Sequence, residues 1–69
     1  MEIVSPMAGV LLRCAVSVGD EVESGQEVAV LESMKMEVPV TAPDAGRVRE
    51  IRCTTGSFVQ EGDTLVVLE

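Results

Sequence analysis

Apolar and polar residues alternate in short runs along this chain, and nowhere does a 3.6-residue period persist long enough for a helix. Residues 9–18 (Gly-Val-Leu-Leu-Arg-Cys-Ala-Val-Ser-Val) and 46–55 (Gly-Arg-Val-Arg-Glu-Ile-Arg-Cys-Thr-Thr) are rich in branched side chains, which pack well on a pleated surface. Residues 27–32 and 64–69 are short apolar runs, each opening after a glycine and a polar residue. Gly19-Asp20, Ser24-Gly25, Gly56-Ser57 and Gly62-Asp63 supply turn chemistry between these runs. About eight short strands and no helix predict an all-β fold, a flattened eight-stranded barrel or sandwich. Pro39 has no amide hydrogen for a strand ladder, so it belongs on an edge or with its nitrogen facing outward.

The pattern occurs twice. Shifted by 37 positions, residues 5–32 fall on residues 42–69 without a gap, with nine identities. Three of these are glycines, in the same order and spacing, and glycine marks backbone that turns sharply or approaches another strand closely. Two copies are too few for a solenoid, so two quasi-symmetric halves closing on each other are expected. The whole chain, residues 1–69, reads as one domain with half-repeats at about 5–32 and 42–69.

The link between the halves, Glu32-Ser33-Met34-Lys35-Met36-Glu37, has no counterpart in the repeat. It joins the last strand of one half to the first of the next, which predicts a hairpin with its tip near Met34-Lys35. An arbitrary lysine in a turn is a solvated surface residue. Lys35 differs in three respects: it is the only lysine in the chain, it occupies the one hairpin outside the repeat, and methionines flank it. Methionine ordinarily fills irregular core gaps, but a hairpin tip has little core to fill. Soft apolar side chains beside a primary amine suit a surface read by another protein or a site that carries a modification.

Composition narrows the functions open to such a module. Sixty-nine residues cannot enclose a two-domain active-site cleft, and no histidine is present to act as general base or metal ligand. Phe58 is the only aromatic residue, and the formal net charge is −7, so nucleic acid meets neither stacking platforms nor cations. No apolar stretch approaches the roughly 20 residues needed to span a bilayer, and Met1–Pro6 lacks the basic start and apolar run of a signal peptide. No membrane association is expected, and the location expected is cytoplasmic, or the mitochondrial matrix if the chain was cut from a larger eukaryotic protein. The acidic surface serves solubility, with steering toward basic partner surfaces as the alternative. Cys14 aligns with Ile51 and Cys53 with Val16 under the repeat, so each cysteine is expected in a small core site, unbridged. Two thiols without histidine fall short of a closed metal site.

Glu32-Ser33-Met34-Lys35-Met36-Glu37 resembles the attachment motif of biotinyl domains of the biotin carboxyl carrier family, in which a Met-Lys-Met hairpin presents the modified lysine. The resemblance extends over essentially the whole chain, including Ser5-Pro6-Met7-Ala8-Gly9, Val18-Gly19-Asp20-Glu21-Val22 and Ala42-Pro43-Asp44-Ala45-Gly46. Ser33 stands where alanine is commoner. The stretch from Gly9 to Gly19 lacks the inserted thumb of some acetyl-CoA carboxylase carriers, so the match is to the thumbless type.

The resemblance implies a barrel-sandwich hybrid fold and a non-catalytic carrier with biotin attached covalently to Lys35. Met34 and Met36 are implied as flanking recognition residues, and Glu32 as a contact for the ligase. It implies three partners: biotin protein ligase, biotin carboxylase and carboxyltransferase. Two other readings share the sequence features. A lipoyl carrier of a 2-oxoacid dehydrogenase-type complex has the same fold, although lipoyl domains usually carry Asp-Lys-Ala at the tip. An unmodified β-sandwich interaction module is the third.

Overall fold

The branched residues of each run settle into antiparallel strands, and the computed structural model, which describes residues 1–69, contains strands and turns only. In chain order these are β1 (Glu2–Val4), β2 (Gly9–Cys14), β3 (Glu21–Val22), β4 (Glu27–Ser33), β5 (Met36–Thr41), β6 (Gly46–Ile51), β7 (Phe58–Val59) and β8 (Thr64–Leu68). They form two four-stranded sheets, ordered β1-β8-β6-β3 and β5-β4-β2-β7. The shift of 37 positions that relates the half-repeats converts one sheet order into the other, strand by strand. The all-β expectation of two matched halves is met.

Each half completes the other. The short strand β3 pairs with β6, and its counterpart β7 pairs with β2. The Gly19 N–H donates to the Val48 carbonyl at 2.9 Å, and the Gly56 N–H donates to Leu11 at 2.7 Å. Neither half can satisfy these backbone groups alone, so the two must fold as one unit.

The strands are shorter than the runs from which they were expected. β2 ends at Cys14 and β6 at Ile51, rather than at residues 18 and 55. After Ala15 donates to Val28 and Arg52 donates to Leu65, both at 2.8 Å, each chain turns to reach the opposite half. The turns Ser17–Asp20 and Thr54–Ser57 each close with a 3.0 Å bond from the fourth residue's N–H to the first residue's carbonyl. The third residue in each is glycine, with φ of 95° at Gly19 and 88° at Gly56, the signature of a type II turn.

Alternation directs one side of each sheet inward. Leu11, Leu31, Leu65 and Leu68 are essentially inaccessible and join Ile3, Val28, Val40, Val48 and Val66 in a single cluster. The cluster respects the repeat, with Leu31 matched by Leu68 and Ile3 by Val40. Val30 and Val67 are buried outside this cluster. Alternation with Leu31 and Leu68 turns them to the outer face, where Val30 is flanked by Arg13 and Pro39. Pro39 is exposed on β5, an edge strand, as a residue without an amide hydrogen requires.

Cys14 and Cys53 depart from expectation. Both are free, but they lie half-buried against the core cluster rather than within it. Cys14 closes β2 and Cys53 lies two residues beyond the end of β6, where the strands give way to turns.

Two glycines separate backbone conformation from close packing. A Cβ at Gly56 would meet nothing within 4 Å, whereas one at Gly9 would lie 2.6 Å from the Glu32 carbonyl oxygen. Gly56→Ala is therefore expected to cost about 1 kcal/mol through its left-handed backbone alone, lowering the Tm by roughly 4–8 °C. Gly9→Ala must displace the β4 backbone and is expected to cost more. Thermal melts in which the two variants coincide would contradict this ordering.

Candidate functional site

The β4–β5 hairpin is the longest pairing in the molecule, running from Glu27↔Thr41, past a register shift between Glu27 and Ala29, to Ser33↔Met36. Its two-residue loop is Met34-Lys35, where the unmatched link placed it. Both residues have positive φ, 53° and 64°, and they are the only non-glycine residues that do. Positive φ at both central positions marks a type I′ turn, whose twist matches that of the flanking strands. Asparagine and glycine usually occupy those positions. Held there, an ordinary side chain costs about 1–2 kcal/mol per residue. Such strain persists only where the surroundings enforce it, and here the ladder below the tip does so.

The tip projects its side chains into solvent. Met34 is 92% exposed, Met36 is 65% exposed, and Lys35 is exposed. The ion pairs of the molecule lie elsewhere, Arg13 with Glu27 at 3.2 Å, Arg47 with Glu21 at 3.6 Å, and Arg52 with Glu50. No carboxylate or carbonyl holds the Lys35 amine, so it is available to a reagent delivered from outside.

The arms below the tip carry like charges. Glu32 faces Glu37 directly across the ladder, and Val10 lies opposite Glu32 on the other side. Two carboxylates in that relation repel each other and weaken the pairing locally. Gly9 lets β2 approach this same segment, since any side chain there would strike the Glu32 carbonyl. The hairpin is thus buttressed from β2 while its tip stays free.

The arrangement can present one primary amine on a stiff, apolar-flanked protrusion, and it has no enclosed cleft around that amine. The family profile described as "Biotin-requiring enzyme" matches residues 1–68. The chain belongs to the biotin/lipoyl attachment family. This biotin/lipoyl domain is 50% identical to the biotin/lipoyl attachment protein of Bacillus subtilis, over 99% of the chain and 93% of that protein. It is 48% identical to the mitochondrial propionyl-CoA carboxylase alpha chain of Homo sapiens, over 94% of the chain but 9% of that protein. The urea carboxylase of Kluyveromyces lactis superposes with a TM-score of 0.93 at 33% identity, covering 100% of the chain and 6% of the carboxylase. The domain therefore spans nearly the full length of one relative and a small fraction of the others.

The structure brings Met34, Lys35 and Met36 together at the tip and sets Glu32 one ladder step below it. Sequence reasoning missed two features of the site. Nothing in Met-Lys announces a type I′ turn, because the usual asparagine-glycine signal is absent. The Gly9–Glu32 contact also has no local signal, although the match of Gly9 with Gly46 in the repeat marked Gly9 as a residue under constraint.

Proposed function

We propose that this domain is a biotin carboxyl carrier with biotin joined to the Lys35 side chain through an amide bond. The observation that carries the reading is the exposed, unpaired amine of Lys35 on a strained two-residue loop between two exposed methionines. The residues fit the group: acylation needs an accessible amine, and Lys35 is the only lysine in the chain. When attached, biotin supplies a ureido ring able to carry a carboxyl group. The chain supplies position. The I′ turn fixes the direction in which the Lys35 side chain leaves the sheet, and the ladder beneath prevents register slip. Met34 and Met36 offer adaptable apolar contact to each enzyme that must accept the tip. Glu32 adds negative charge for a basic ligase surface.

The domain itself performs no bond chemistry in this reading. Its partners are a biotin protein ligase, which loads Lys35, and the biotin carboxylase and carboxyltransferase sites between which the loaded arm moves. The carboxylases among its relatives support the carboxyl-carrying role over a lipoyl one, as does the Met-Lys-Met tip.

Intact mass after co-expression with a biotin protein ligase tests the proposal. The expected product has gained one biotinyl group and binds streptavidin. A lipoyl adduct, or unmodified protein under conditions where a known carrier is fully loaded, would refute it.

A further inference from the structure

The outer face of the sheet that carries the tip differs from its counterpart in the other half. Leu11, Leu31 and Val59 belong to the core cluster, so their neighbours Val10, Glu32 and Phe58 alternate to the outside. Register sets Phe58 opposite Val10, Val10 opposite Glu32, and Glu32 opposite Glu37, a single row across β7, β2, β4 and β5. That row lies directly below the Ser33↔Met36 pair that closes the tip. Phe58, the only aromatic residue of the chain, is 65% exposed.

The repeat supplies an internal control. Its shift of 37 positions places Val10 on Arg47 and Phe58 on Glu21, which are also partners across a ladder. There the two residues form a surface ion pair at 3.6 Å, suited to water. Leu12 likewise stands where the other half has Arg49, each at the register shift of its strand. The scaffold thus accepts charge at these positions, and folding does not require Val10 and Phe58 to be apolar. A lone exposed apolar residue needs no explanation, but here neighbouring surface positions become apolar together on the sheet that bears Lys35.

We propose that Val10 and Phe58, with Glu32 and Glu37 beside them, form a docking surface for the biotin protein ligase, which rests on the reading of Lys35 as the attachment site. Geometry favours the ligase over the other enzymes that meet the tip. Before loading, the reactive nitrogen is carried by a lysine side chain alone. The ligase must bring an activated carbonyl within about 3–3.5 Å of that nitrogen, so its surface closes over the sheet beside the tip. The carboxylase and carboxyltransferase sites are reached afterwards by the longer biotinyl arm and need hold only its end. The row is apolar on β7 and β2 and acidic on β4 and β5. The ligase surface that fits it has an apolar pocket for the Phe58 ring, flanked by basic side chains.

Loading by a purified ligase supplied with biotin and ATP, followed over time by intact mass, tests this proposal. Phe58→Thr with Val10→Thr keeps strand-forming side chains and removes the apolar surface. The KM of this variant is expected to rise at least about tenfold, equivalent to about 1.4 kcal/mol, with kcat and the melting curve unchanged. Val10→Arg with Phe58→Glu copies the ion pair of the other half and should behave in the same way. Lys35→Arg, which cannot be loaded, should compete with the wild-type domain, and adding Phe58→Thr should weaken that competition at least about tenfold. Phe58→Thr alone, at a largely exposed position, decides the matter if a double variant folds poorly. Loading of these variants at the parent's KM would overturn the proposal, as would a fall in kcat alone. So would a parent dimer that Phe58→Thr dissolves without changing loading, which would make the row a self-association surface. A parent that takes no biotin would overturn the attachment reading itself, and this surface with it.

Discussion

Lys35→Arg is expected to remove all biotinylation while leaving the melting curve unchanged. Arginine keeps the positive charge and a similar length, and position 35 is exposed with no ion pair to lose. Both residues also bear the same left-handed backbone cost, so the tip should keep its conformation. What disappears is the primary amine, since a guanidinium does not lose its proton at any pH a ligase works in. No other lysine can stand in for it. Streptavidin blotting after co-expression with the ligase provides the measurement. Any retained signal on folded Lys35→Arg protein moves the attachment point away from the tip and removes the basis of the proposed function.

The second large effect concerns position rather than chemistry. Exchanging neighbours, Met34→Lys with Lys35→Met, keeps composition and charge unchanged. It also keeps two ordinary side chains at the two positive-φ positions, so the turn should form as before. The amine, however, moves by one residue, about 3.8 Å along the backbone, and leaves the I′ turn in a different direction. A ligase must bring the nitrogen within about 3–3.5 Å of an activated carbonyl, and a misplacement of about 1 Å can cost on the order of 100-fold. Biotinylation of the exchanged variant is therefore expected to be at least about 100-fold slower, with an unaltered melting curve. Equal rates would mean that the ligase accepts any accessible lysine, and the rigid presentation of the tip would have no role in loading.

These effects also bear on why strain is tolerated at the tip. An asparagine-glycine loop would relieve the backbone cost at Met34 and Lys35, and separating Glu32 from Glu37 would relieve the charge repulsion below. The hairpin retains both. The long ladder from Glu27 to Thr41 and the close approach of Gly9 hold it in shape regardless. Stability invested in the scaffold is thus set against a loop whose residues suit recognition rather than folding.

Much of this was legible in the chain before folding. The repeat at a spacing of 37 residues carried the two-fold architecture, because equivalent apolar runs must bury equivalent faces. Turn glycines placed the reversals, since only they adopt positive φ without cost. The unmatched link with its single lysine located the site. Other features depended on residues distant in sequence. The runs through residues 18 and 55 stop early as strands because the chain turns there and brings Gly19 and Gly56, just beyond them, to carbonyls of the opposite half, and no local propensity encodes that exchange. The cysteines lie half-buried against the core cluster rather than within it. The opposition of Glu32 and Glu37 follows from ladder register, which a two-residue loop sets once the hairpin has closed. Local patterning thus determined which elements form and where the reactive amine lies. Only tertiary structure decided which side chains meet, because contact between the halves requires both to be folded.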